Sequence, residues 1–241
     1  MRKLLVAAAV LAIVGGACGS DSTKDKASTV DSNTTTTVAG GDSTAASGEL
    51  KAKLLTVSDL PAGYKVSADT SGDGSKEDNS SSGCPQLDEY DKKFSKAADE
   101  DTEIDFEKGE VSESGGFPAD GLHFLNQSVE RWSSDAKANE SFDAAVAAFN
   151  ACKTFNTTDE DGAVITGTMS PLSFPKLKDD TFAVHIKFSV AQEGQTVNFD
   201  GDMVAIRAGK FDCLVLSLSF AGPALSGADF ESVVRKAAAK L

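Results

Sequence analysis

The stretch from Phe182 to Val190 reads FAVHIKFSV, and it decides the fold class of the chain. From Phe182 onward every second residue is a large apolar one, which is the period of a β-strand that buries one of its two faces. The pattern therefore predicts a strand whose apolar face packs in a core. His185 and Lys187 are predicted to point to the opposite face.

Four further strands are predicted on either side of this stretch. After a turn at Gly194, one runs from Thr196 to about Arg207, and Phe211–Phe220 forms the next. The apolar set of the first of these changes phase around Gly201, which favours a bulge or a bend there. Earlier in the chain, strands are predicted over 103–111 and 122–132, separated by a glycine pair.

Three segments carry apolar residues at helical spacing. One begins at Pro85 and runs to about Ala97, and the last begins after Ser226, a predicted N-cap. The stripe of the middle helix is Phe142, Ala145, Val146, Phe149 and Cys152, and that of the last helix is Phe230, Val233, Val234, Ala237 and Leu241. Short strands joined by turns, with helices between and after them, predict one α+β domain over 49–241. We expect a largely antiparallel sheet with the helices packed on one face.

The N-terminus has the organisation of an export signal. Arg2 and Lys3 precede the apolar run Leu4–Val14, and a short stretch of small residues then leads directly to Cys18. The run is too short for a membrane-spanning helix, which takes about 20 residues, so 1–17 is predicted to be a signal peptide. A cysteine after small residues resembles the lipobox of bacterial lipoproteins, although Gly15 stands where that motif has an aliphatic residue. The resemblance implies a lipid on Cys18; the alternative is ordinary secretion after cleavage near Ala17.

The segment that follows, 18–48, is predicted to be a disordered linker. It is rich in Ser and Thr, includes Thr34–Thr37 and contains no aromatic residue, so it cannot bury enough apolar surface to offset the entropy of ordering. The whole chain has 23 Lys and Arg against 37 Asp and Glu, a net charge of -14. This acidity argues against nucleic acid and against electrostatic binding to anionic lipid. Membrane attachment is therefore predicted through covalent lipid on Cys18 alone, at the outer face of the cytoplasmic membrane.

Four short motifs and the last helix together resemble a known family. The motifs are LLTVSDLPAGY (54–64), QSVERW (127–132), PLSFP (171–175) and GDMVAIR (201–207). In this combination the chain resembles actinobacterial lipoproteins related to the extracellular sensor domain of the PknH-type receptor kinases. The resemblance implies an α+β fold around an antiparallel sheet and an exported module that senses or binds something at the cell surface. It transfers no catalytic residue.

The domain contains three cysteines in what is predicted to be an oxidising compartment. We predict a Cys84–Cys152 disulfide, since Cys84 precedes a helix after a polar loop and Cys152 ends another helix. Closing this loop would stabilise the fold by about 4 kcal/mol in the chain-entropy model. Cys213 lies inside a strand and is predicted to be a packed free thiol. A catalytic thiol would need a lowered pKa and a neighbouring base, and neither is visible.

The other candidate sites are weak. His123 and His185 fall on separate predicted strands and would need a further ligand to hold a metal, so we expect one solvent-facing and one partly buried histidine. Asp69–Gly74 imitates the start of a calcium loop, but Ser80 replaces the bidentate Glu. The acidic run 99–107 is expected to be a solvated strand face with its apolar residues, Ile104 and Phe106, turned inward.

No hydrolase elbow, zinc-protease motif or phosphate loop occurs in the sequence. We therefore predict a non-enzymatic, lipid-anchored module without metal or cofactor. The leading hypothesis is binding of a small molecule, lipid or protein in a pocket between the sheet and the helices that carry Phe149 and Phe230. Alternatives are a scaffold lipoprotein that acts through protein contacts and, less favoured, a cell-envelope hydrolase.

Overall fold

The computed structural model of the chain describes residues 48–67, 81–110, 117–159 and 162–241. The predicted signal peptide, Cys18, the linker up to residue 47 and the calcium-like loop 69–74 lie outside the described residues. The predictions made for them therefore remain predictions.

The described residues form an eight-stranded sheet and four helices. The helices are α1 (Gly48–Ala52), α2 (Pro85–Phe94), α3 (Asp135–Ala151) and α4 (Gly227–Lys240). The strands are β1 (Lys65–Val66), β2 (Glu100–Lys108), β3 (Leu122–Arg131), β4 (Thr154–Thr158), β5 (Val164–Pro171), β6 (Asp180–Gln192), β7 (Gln195–Ala208) and β8 (Phe211–Phe220). The sheet order is β1-β2-β3-β8-β7-β6-β5-β4, and every neighbouring pair is antiparallel. This confirms the predicted α+β domain built on an antiparallel sheet.

The long hairpin of β6 and β7 lies next to β8 near the middle of the sheet, and the bulge that was one of two predicted alternatives for it does not form. Gly201 pairs with Ile186 on β6 and with Leu218 on β8 in an unbroken register, so there is no bulge. The apolar pattern changes near Gly201 because the following part of β7 is covered on both faces. From Met203 to Ile206 four consecutive residues are buried, so alternation ends without any change in the strand.

The helices lie on both faces of the sheet, which corrects the prediction that they share one face. On α3, Phe149 contacts Phe182 of β6, with ring centroids 5.9 Å apart. On α4, Phe230 packs in a cluster with Val204 and Val215, which point to the other side because side chains alternate along each strand. We call the two sides the α3 face and the α4 face. Both faces of the sheet are apolar where these helices pack. The apolar stripe of α3 covers one face, and that of α4 covers the other.

A buried glutamine fixes the N-terminal segment to the α4 face. Gln127 is fully buried, and its Oε1 accepts a hydrogen bond from the Leu55 N–H at 2.5 Å. Its Nε2 donates to the Lys53 carbonyl oxygen at 3.1 Å and to Cys213 Sγ at 3.4 Å. The segment after α1 is thus attached through its backbone to the centre of β3, and Leu55 is buried there.

Lysines connect the same segment to the end of α4. Lys53 Nζ donates to the carbonyl oxygens of Lys240 and Leu241. In return, Lys240 Nζ donates to the Leu54 carbonyl at 2.9 Å and pairs with the Asp59 carboxylate at 2.9 Å. The segment 48–60 and the last turn of α4 therefore form one lysine clamp.

On the α3 face, a disulfide joins the two helices. Cys84, directly before α2, is bonded to Cys152, directly after α3, with Cα atoms 5.9 Å apart. This confirms the predicted pairing, and Cys213 is the free, buried cysteine of the described ranges. Between the helices, the Tyr90 hydroxyl hydrogen-bonds the Ser141 hydroxyl at 3.1 Å. The layer of α2 and α3 is thus held together independently of the sheet.

Candidate functional site

The part of the α4 face that α4 leaves uncovered carries a row of paired charges. His185 Nδ1 lies 2.7 Å from Asp202 Oδ1, and its Nε2 lies 3.3 Å from Asp200 Oδ1. Lys187 Nζ lies 3.3 Å from Asp200 Oδ2. His185 and Lys187 thus point away from the Phe182 side, as the alternation predicted. We call these four side chains the His185 ladder.

The ladder exists because β6 and β7 pair in a defined register. His185 stands opposite Asp202 and Lys187 opposite Asp200, so that two cationic side chains meet two carboxylates on adjacent strands. The two aspartates were not among the site residues predicted from the sequence. They could have been predicted from the turn at Glu193–Gly194. If β6 and β7 pair as a hairpin around that turn, the two aspartates lie beside His185 and Lys187.

The ladder continues into hydroxyl-bearing residues towards the sheet edge. Thr168 stands opposite Lys187 and Ser170 opposite His185, and both are exposed. Together with the His185 ladder they form what we call the open polar face. Both ring nitrogens of His185 meet carboxylates, so this histidine is not placed as a base beside a hydroxyl or thiol. The arrangement suits recognition by hydrogen bonds and charge rather than acid–base catalysis.

A second polar cluster is buried on the α3 face. Glu130 and Asp212 stand opposite each other on β3 and β8 and are 7% and 6% exposed. They line a cavity of about 10 Å³ beneath Phe142 of α3, which has room for roughly one water molecule. Among the described residues, neither carboxylate oxygen of Asp212 has a hydrogen-bond partner. Burial raises the pKa of Asp212 to about 7, and the charge of Glu130 adds to this rise.

Between α3 and the sheet, the described residues line the cavity of about 10 Å³ mentioned above. Ligand sites for small molecules have volumes of a few hundred Å³ or more. At α4, Phe230 is 1% exposed and is enclosed by its cluster. A wider concavity of about 500 Å³ lies on the outer side of α4, between Glu231, Arg235 and Lys236, but it is an open part of the surface.

The other candidates from the sequence are structural. Burial raises the pKa of the Cys213 thiol to about 12, which makes it unreactive. His123 is buried, and its Nε2 lies 2.9 Å from the Asp120 carbonyl oxygen; it stands on β3 and His185 on β6, so the structure does not bring the two histidines together. On β2, Phe106 is buried and Ile104 packs against the core, as predicted for the acidic run.

Within the described ranges, no group of three or more His, Cys, Asp or Glu side chains is arranged to hold a metal ion. In the same part of the chain, no helix has the length and hydropathy needed to span a bilayer.

Comparison with known proteins gives a fold relationship. No family model matches the chain, and no curated protein matches it in sequence. Among solved structures, it is similar to the crystal structure of the extracellular domain of PknH from Mycobacterium tuberculosis. The two are 13% identical with a TM-score of 0.50, and the alignment covers 80% of this chain and 94% of that chain. The chain therefore shares its fold with that extracellular domain, which agrees with the resemblance drawn from the sequence motifs.

Proposed function

We propose that this chain is an exported, non-catalytic binding module, held at the cell surface by lipid on Cys18, which acts by contacting a protein partner. The observation that carries the proposal is the match to an extracellular domain over 94% of that domain's length. The basic residues, apolar run and small residues ahead of Cys18 support export and lipidation. A fold can serve many functions, so the contact surface has to be argued from the residues.

The open polar face is the surface that fits this role best. Its alternating charges and exposed hydroxyls offer hydrogen bonds and ion pairs over a flat area, which is the chemistry of a polar protein interface. A protein partner is favoured over a small-molecule ligand, because the cavity between α3 and the sheet has a volume of only about 10 Å³. Lys187 is the most exposed charge of the ladder, at 61% of its side chain, and would meet an acidic group of the partner.

Site-specific photo-crosslinking of the full chain in its host tests this surface. A photo-reactive residue at Thr168 should capture a discrete partner, whereas the same residue at Ser232, on the outer side of α4, should not. Lys187→Glu should reduce capture at Thr168 by about tenfold, because it replaces the exposed cation with a like charge towards an acidic partner. Equal capture from both positions, or capture that Lys187→Glu leaves unchanged, would reject the open polar face.

Lipid attachment requires a separate experiment. Cys18→Ala should release the mature domain into the medium or leave an unprocessed precursor, whereas Cys213→Ala should leave the detergent-phase partitioning unchanged. A Cys18→Ala protein that is cleaved normally and still partitions into the detergent phase would show that the anchor lies elsewhere.

A further inference from the structure

The hairpin of β6 and β7 extends beyond the end of β8 and leaves part of one strand edge without a neighbour. The last residue pair between β7 and β8 is Phe199 with Phe220, whereas β7 already begins at Gln195. Among the described residues, no strand lies beside 195–198 on the β8 side. Three of these four residues are exposed, and the fourth is half-buried.

At its end, β8 turns away from β7. Ala221, the residue after Phe220, has a φ of 57°, a left-handed conformation that ends an extended strand. Gly222 then lies against the backbone of Asp120, which precedes β3, and β3 neighbours β8 on the side away from β7. The described chain after β8 therefore does not continue along the edge of β7.

The backbone groups of Thr196 and Asn198 point towards this open edge. The carbonyl oxygen of Asp200 faces β8, because it accepts a hydrogen bond from the Ser219 hydroxyl at 3.0 Å. Since backbone direction alternates along a strand, Asn198 and Thr196 turn their N–H and C=O groups to the same side as Asp200. The two-residue turn at 193–194 leads to the same assignment, because its positive φ angles are those of a type I′ hairpin, whose flanking pair is hydrogen-bonded within the hairpin.

The two outer edges of the sheet are protected against pairing with another chain, whereas this inner edge is not. Beside β4, Gly83 lies against the backbone of Asn156. At the opposite edge, β2 presents the exposed carboxylates of Asp101 and Glu103, and charges of this kind discourage the addition of a strand. The segment 195–198 reads QTVN, with no charge and no proline, and its register with β6 is unbroken. Such an edge is a template for a further strand.

The side chains around the edge indicate which residues an added strand would carry. Val197 and Phe199 are two residues apart and point to the same face as Phe220, the residue paired with Phe199. The ring of Phe220 contacts that of Phe117, with centroids 4.6 Å apart, and Phe117 is 44% exposed. An apolar side chain opposite Val197 would therefore lie beside Phe220. Its two neighbours in the added strand would point to the side of the open polar face.

The charge at the two ends of the edge adds a further requirement. Glu193 is exposed in the turn at one end. At the other end, Asp200 is already paired with Lys187 at 3.3 Å. The whole chain has a net charge of -14. A basic residue is therefore favoured at the end of the added strand that lies near Glu193.

We propose that the edge of β7 at Thr196 and Asn198 is a strand-addition site, which binds an extended segment of the protein partner in line with β8. The segment has an apolar residue between two polar ones and a basic residue at one end. Its backbone pairs with the outward N–H and C=O groups of the two residues. This inference rests on the proposed function and adds to it how the partner is held, since β7 also carries the aspartates of the His185 ladder.

A short peptide tests the edge without the partner. The probe is the acetylated and amidated peptide Lys-Thr-Leu-Thr-Lys, which has an apolar residue between two polar ones and basic ends. In the full-length protein, this peptide should slow the hydrogen exchange of the Thr196 and Asn198 amides by at least about threefold, because both amides gain an acceptor. The same peptide N-methylated at both threonines should not slow it, because the methyl groups stand where its N–H groups have to meet the edge.

A proline substitution removes the donor from the edge itself. Thr196→Pro deletes the outward N–H but leaves the hydrogen bonds of β7 to β6, and proline is tolerated where a strand N–H faces solvent. With this variant, the probe peptide should no longer protect the Asn198 amide. Thr196→Ala is the matched control, because it removes a side chain to which the proposal gives no role and keeps the N–H, so protection should remain. If Thr196→Pro fails to fold, the N-methylated peptide still decides the question.

The photo-reactive residue at Thr168 connects this edge to the partner. Thr196→Pro should lower the capture of the same partner at Thr168 by about tenfold, because backbone hydrogen bonds to the partner are lost, and Thr196→Ala should not. Undiminished capture by Thr196→Pro would overturn strand addition and leave the open polar face standing. Protection by the peptide without any capture at Thr168 would support the edge and reject the open polar face as the partner's contact surface.

Two further results would overturn the proposal. The first is exchange of the Thr196 and Asn198 amides that the probe peptide does not slow in the wild type, or that the N-methylated peptide slows equally. The second is protection of both amides without peptide that increases with protein concentration and is lost in Thr196→Pro, which would show that a second copy of the chain occupies the edge.

Discussion

Helices pack on both faces of the sheet, but they are held there by different physical means. On the α4 face, Phe230 and its neighbours make an apolar layer, and Gln127 uses its amide to bind the backbone of the N-terminal segment. On the α3 face, the helical layer covers Glu130 and Asp212 and is closed by the Cys84–Cys152 disulfide. The difference teaches that burial alone does not indicate what stabilises a layer. The α4 layer depends on apolar packing, whereas the α3 layer is also held by a covalent link.

The largest expected loss of stability comes from truncating a buried phenylalanine, and it should differ between the two helical layers. Phe230→Ala should destabilise the domain by about 3–5 kcal/mol, because it removes a ring that is 1% exposed from a fully apolar cluster. Phe142→Ala, on α3, should cost less, because its ring already borders a cavity and two carboxylates. Denaturant unfolding of both variants at pH 7 measures the difference. Equal losses in the free energy of unfolding would show that the two layers do not differ in packing.

The disulfide should stabilise chiefly the helices on the α3 face. Replacing Cys84 and Cys152 by Ser should cost about 2–4 kcal/mol, because the bond closes a loop with a sequence separation of 68 residues. Hydrogen exchange should become faster in α2 and α3 and stay unchanged in α4. Cys213→Ser is a control that removes a cysteine but no bond. Faster exchange throughout both layers would mean that the two faces are not independent.

A smaller effect is expected from the glutamine on the α4 face. Gln127→Ala should cost about 1–3 kcal/mol, because it leaves the buried Leu55 N–H and the Lys53 carbonyl without their partner. Asn126→Ala is the neighbouring control; its side chain points to the other face and hydrogen-bonds the Asp105 carboxylate. Thermal unfolding compares the two. A loss from Asn126→Ala as large as that from Gln127→Ala would remove the special role given to Gln127.

The strands and helices could be predicted from the sequence because the patterns that indicate them involve residues close together in the chain. The alternation in Phe182–Val190 and the apolar stripes of α3 and α4 each follow from neighbouring residues, and the disulfide followed from the few available cysteines. The face on which each helix packs depends on which side of the sheet the chain crosses to. No period of the sequence encodes that choice, so both helices were predicted on one face, and the phase change near Gly201 was interpreted as a bulge or a bend.

The two polar clusters show the same limit. Asp200 and Asp202 could have been paired with Lys187 and His185 through the hairpin, because β6 and β7 are consecutive. Glu130 and Asp212 lie 82 positions apart on strands that become neighbours only when the sheet is complete. Phe142 of α3, the helix that follows β3 in the chain, lines the same cavity as these two carboxylates. Only the assembled fold reveals that both carboxylates are enclosed.

The lysine clamp has a mechanical consequence. A pulling force applied to the chain ahead of Gly48 reaches α1 first, and then the hydrogen bonds of Lys53 and Gln127. These few bonds would rupture one after another, whereas β6 and β7 are joined by a ladder that runs from Asp180 to Gln192. Under load the domain would therefore lose α1 and the segment after it before the central strands separate. The end of α4 would be released in the same event, because the clamp holds both.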